Sequence, residues 1–160
     1  MRQAVISDLI SELTPQIENA RELVQICQID ENPVPILEAG IALLFISHKS
    51  VLAATKVERV RRSLLPPIHE GFLSRFGPIA TQGSMSEQRV LELLVRRHAA
   101  YDSLMDSNVS DWQYRLSEQL YESISGKRSD TAVLVAVGIA FLSRLNATSK
   151  FLREVCSKWV

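Results

Sequence analysis

Three histidines, His48, His69 and His98, are the side chains in this sequence best suited to moving protons or holding a metal. Two familiar metal-ligand spacings are missing. There is no Glu-x-x-His as in di-iron bundles, and no His-x-x-x-His as in zinc sites. A metal would need all three histidines to converge from separate segments. The plainer expectation is that each is a hydrogen-bonded residue at the edge of the core, with no metal and no cofactor. No serine occupies a nucleophile elbow, and no glycine-rich loop opens a helix with phosphate-cradling spacing. Cys27 and Cys156 lie in apolar surroundings with no CxxC, so they read as buried free thiols. No catalytic residue is assigned.

The charged residues carry two further readings. Glu38 sits among Pro35, Ile36, Leu37, Ala39, Gly40 and Ile41. A carboxylate so placed faces water, finds a partner or has a raised pKa. The favoured reading puts it on the outer face of its helix. The next pairs it with a base such as Arg144. Glu38, His48, His98 and Arg144 are thus the candidate buried polar residues. Lys56, Arg59, Arg61 and Arg62 form one basic cluster, and Arg96 and Arg97 a second. Basic residues near a helix C-terminus complement its dipole. If the two clusters meet, they form a patch for an anionic ligand or an acidic partner.

These residues must be positioned by helices. Apolar residues recur every three and four positions, and nothing alternates with period two. Leu91, Leu94, His98, Tyr101 and Met105 share one face, as do Trp112, Leu116, Leu120 and Ile124. Start signals are Thr14-Pro15, Val34-Pro35, Ser84 to Glu87, Ser110 to Gln113, and Asp130. Breakers are 30–33, Pro66-Pro67, 77–83, 106–108 and 126–129. The pattern predicts an all-α, single-domain bundle over 1–160, of about seven helices near 3–13, 15–29, 35–64, 67–76, 85–105, 111–125 and 131–158. The third and seventh are the long central ones. Gly40-Ile41-Ala42 resembles Gly138-Ile139-Ala140, which suggests pseudo-repeats over 14–64 and 110–158. The two long helices would then cross with Gly40 against Gly138.

Eighteen acids balance eighteen bases, and 46% of residues are hydrophobic. That profile is globular, and nucleic acid is disfavoured as a partner for want of a basic surplus. The apolar runs 36–46 and 131–142 are about a dozen residues each, against about 20 for a membrane span, so no span is expected. The opening residues lack an apolar signal-peptide core, so the expected compartment is the cytoplasm. Val5, Ile6, Leu9 and Ile10 near one end, with Val155, Trp159 and Val160 at the other, leave apolar surface to cover. The functional expectation is a non-enzymatic interaction or regulatory protein that self-associates as a homodimer, with another protein as a further candidate partner. A ligand- or nucleic-acid-contacting domain using the basic patch comes second. An enzyme whose site is assembled from distant residues comes third.

Overall fold

Seen in a computed structural model, whose described residues are 3–128 and 131–158, the chain is all-α with no strand among those residues. The elements are α1 (Gln3–Leu13), α2 (Ile17–Ile26), α3 (Pro33–Ala54), α4 (Glu58–Gln82), α5 (Glu87–Met105), α6 (Trp112–Ser125) and α7 (Thr131–Ser157). The expected N-cap Asp130 and the terminal Trp159 and Val160 lie outside the described residues.

Helix α3 is the axis. Nearly every residue from Ile36 to Ser47 is buried, because α2, α4, α5, α6 and α7 all pack on it. A helix apolar on all sides must be surrounded in this way. Phe45 sits at the centre, edge-on to Tyr101 of α5 at 5.3 Å and stacked with Phe141 of α7 at 6.3 Å. Helices α2–α3 and α6–α7 are each a short helix followed by a long one, joined by brief connections.

The expected helix over 35–64 is corrected: α3 ends at Ala54 and α4 begins at Glu58. Thr55 turns extended, with φ −146° and ψ 142°. Its hydroxyl accepts a hydrogen bond from the Val57 amide at 3.0 Å, a side-chain turn that competes with the helix ladder. Arg61 then donates from Nε to the Thr55 carbonyl and from Nη2 to the Leu52 carbonyl, at 2.8 and 3.0 Å. These are carbonyls that the end of α3 leaves open. Pro66, Pro67 and Pro78 do not break α4, nor does Gly77. Pro66 and Pro78 are exposed, and so are Arg62 and Ser74 four residues before them. The carbonyls deprived of partners therefore face water, which is where a helix best tolerates proline.

The starts also shift. The first residues of α2 and α3 follow Gln16 and Asn32, not Thr14 and Val34. Thr14 instead closes α1, donating its hydroxyl to the Ile10 carbonyl at 2.6 Å. Ser86, not Ser84, caps α5 by accepting from the Arg89 amide at 3.2 Å. Asp111, not Ser110, is the N-cap position of α6.

Helices α3 and α7 pack along each other, but Gly40 and Gly138 are not their meeting point. A Cβ on Gly40 would strike the Phe76 ring of α4, and one on Gly138 the Ser117 hydroxyl of α6. Each glycine lets a different neighbour approach. The Phe76 ring is buried and stacked on Phe72 at 4.8 Å, so it cannot retreat. Gly40→Ala gains about 1 kcal/mol of helix propensity. Overpacking costs about 1–3 kcal/mol. A net loss in denaturant unfolding is expected, larger than for Gly138→Ala, where a serine hydroxyl can rotate away. Equal or greater stability of Gly40→Ala would mean that the ring has room.

Candidate functional site

Where α3, α4 and α5 meet, a polar cluster interrupts the apolar core. Glu38 is 3% exposed, so it does not mark the outer face of α3. Nor does it reach Arg144. Its partner is Arg97 of α5, which donates from Nε to Oε2 at 2.9 Å and from Nη2 to Oε1 at 2.8 Å. This fork-on-fork geometry gives two parallel charge-assisted bonds. The carboxylate beside it raises the Arg97 pKa despite burial.

One residue on, His98 points its Nε2 at the Ile41 carbonyl, 3.1 Å away. A carbonyl only accepts, so Nε2 carries the proton and Nδ1 the lone pair. Around it stand His48 of α3 and His69 of α4. His48 Nδ1 and His69 Nε2 are 3.2 Å apart, and the three ring centroids are separated by 5.5, 6.3 and 6.4 Å. The three histidines do converge from separate segments, although the spacing gave no sign of it. Burial disfavours a charged imidazole and lowers all three pKa values, that of His98 to about 4. Lys49 of α3 forms an ion pair with Asp102 of α5 at the rim. The Asp102 carboxylate favours protonation of His48 and His98, but burial outweighs it. Asp102 follows His98 by one helical turn, a spacing the sequence reading gave no weight. Tyr101 lies between them on the core side, fully buried, with its phenol pKa pushed up by desolvation.

Three members of the expected basic patch have partners within the chain. Arg97 is committed to Glu38, and Arg61 to the end of α3. Arg62 pairs with Glu58 within α4 at 2.9 Å. Lys56, Arg59 and Arg96 are exposed. The expected match of this cluster to a helix C-terminus holds for Arg61 alone, because the other three residues straddle the break and the first turn of α4.

Arg144 lines a separate open groove of about 380 Å³ between the α1–α2 corner and α7. Leu43 and Ile46 of α3 form its floor, and Glu12, Asn19 and Phe151 part of its walls. The Arg144 side chain makes no ion pair or hydrogen bond among the described residues. Beyond the groove, the outward face of α7 is uncharged for most of its length. Val135 is 48% exposed and Ile139 61%.

That helix, with α3, corrects the expectation of no membrane span. The apolar runs lie inside helices of 22 and 27 residues, and both helices are long and apolar enough to cross a membrane. The dozen-residue count fell short because each helix continues past its greasiest run with few enough charges to stay apolar over a span's length. In α3, 78% of the relevant window is buried inside the protein, as a core helix should be; in α7 the figure is 28%. Comparison with protein-family models, with curated proteins and with solved structures gave no match.

Proposed function

We propose that this chain is a helical interaction protein that acts by binding rather than by catalysis, and that it self-associates through the outer face of α7. The observation that carries this reading is the stripe Ala132, Val135, Ala136, Ile139, Ser143 and Ala147. All six are exposed, none is charged, and they recur every three to four residues along one side of the helix. The small residues allow a second backbone to come close, and Val135 and Ile139 supply apolar knobs. A two-fold contact would set this uncharged face against its own copy, so no like charges are opposed across it. The chain's zero net charge adds no long-range repulsion.

Light scattering coupled to size-exclusion chromatography tests this. A dimer is expected at tens of micromolar, and Ile139→Glu, which plants a charge in the stripe, is expected to elute as a monomer. A wild-type monomer sinks the reading, as does a dimer indifferent to both Ile139→Glu and Val135→Glu. Flotation with lipid vesicles is the competing result, and would assign the same face to a bilayer.

A further inference from the structure

The imidazole pair His48 and His69 bridges two helices whose backbones are fixed by the surrounding core. Its donor atoms, Nδ1 and Nε2, stand 3.2 Å apart. A tetrahedral ion with metal–nitrogen bonds of about 2.0–2.1 Å holds neighbouring ligand nitrogens about 3.4 Å apart. The pair is thus spaced as the two teeth of a chelate, and little movement separates it from a ligating geometry. Both rings are half-buried and kept neutral by burial, and the neutral imidazole is the form that ligates. The Asp102 carboxylate adds negative charge nearby, although Lys49 already engages it.

His98 is placed differently. Its Nε2–H is spent on the Ile41 carbonyl, and its centroid is more than 6 Å from either neighbour. Among the described residues no three histidine, cysteine or carboxylate side chains form a ready-made metal centre. The site is therefore a two-ligand one.

We propose that His48 and His69 chelate one borderline divalent transition-metal ion, Zn²⁺ foremost, across the contact between α3 and α4, with solvent completing the coordination. Imidazole nitrogens suit Zn²⁺, Ni²⁺ and Cu²⁺, whereas Mg²⁺ prefers oxygen and keeps its water. The bound ion would join α4 to the axis of the fold, so it would stabilise the folded chain by mass action.

Calorimetric titration of the full chain with ZnCl₂ in a non-chelating buffer tests the site. Saturable binding near one ion per chain is expected, with no response to MgCl₂. His48→Gln and His69→Gln should each weaken it by roughly tenfold or more, since even an outer partner of a ligand is worth about 10–100-fold. Long-range ¹⁵N spectra of the wild type provide a readout that needs no variant. Zn²⁺ should shift Nδ1 of His48 and Nε2 of His69. Absence of Zn²⁺ binding, equal affinity in both variants, or ring nitrogens that stay unmoved at saturation would each overturn the proposal and leave the pair a hydrogen bond between helices.

Discussion

Arg97→Ala is expected to lower the unfolding free energy by about 3–5 kcal/mol. Removing the guanidinium leaves the Glu38 carboxylate buried, at 4% side-chain exposure, with neither of its two charge-assisted bonds. An unpaired buried charge costs far more than the pair contributes while intact, because desolvation is no longer offset. Arg97 keeps 22% of its side chain exposed, so water can partly replace it and the loss should fall toward the lower end of that range. The pair itself is not expected to be worth this much. Glu38→Leu combined with Arg97→Leu removes both charges together and should recover most of the loss, since apolar replacement of a whole buried pair is often neutral. Urea unfolding of the two variants decides between these accounts. If Arg97→Ala costs under about 1 kcal/mol, as an exposed ion pair would, Glu38 reaches water and the burial argument is wrong. If the double variant is no better than the single one, packing rather than charge explains the loss.

That pair also marks how far the sequence could be read. The helical class was legible because three-four periodicity is a local property, written along each segment. Helices α1, α5, α6 and α7 fall within about two residues of the pattern. The break at Thr55 was not legible, because it rests on one hydroxyl and on an arginine reaching back six and nine residues. Prolines 66, 67 and 78 misled for the opposite reason. They are strong local breakers, and for Pro66 and Pro78 it is the exposed placement on α4 that makes them tolerable. Glu38 was recognised as anomalous, but its partner lies 59 residues away. The choice of Arg97 over Arg144 is a fact of tertiary packing. The histidine cluster is similar: His48, His69 and His98 come from three helices, and each taken alone reads as an ordinary boundary residue. The one local trace was His98 and Asp102, a helical turn apart.

Acid should destabilise the metal-free protein through that same cluster. His98 has its pKa depressed from 6.5 in the unfolded chain to about 4 in the folded one, chiefly by burial. Between those values the unfolded state takes up the proton and the folded state resists it. The contribution is fully present above pH 6.5 and is lost as the pH falls toward 4. One pKa unit is worth about 1.4 kcal/mol, so the complete loss is about 3 kcal/mol. The neighbours set the sign of the corrections. His48 and His69 are depressed too, and add to the loss. Protonating any one of the three makes the next harder, because the charges would be close. Lys49 opposes protonation of His48, whereas Asp102 favours it at both His48 and His98. Ordinary carboxylates titrate at about 4, so the interval from about pH 6.5 to 5 belongs mainly to the histidines. Urea unfolding with a chelator present, repeated across that interval, should show stability falling by about 2 kcal/mol. His98→Asn removes the largest contributor and should flatten the slope markedly, even if it also lowers stability at neutral pH. A slope unchanged by that substitution would place the acid sensitivity elsewhere in the molecule. A flat wild-type profile would mean that the imidazoles open to water more readily than their burial between α3, α4 and α5 implies.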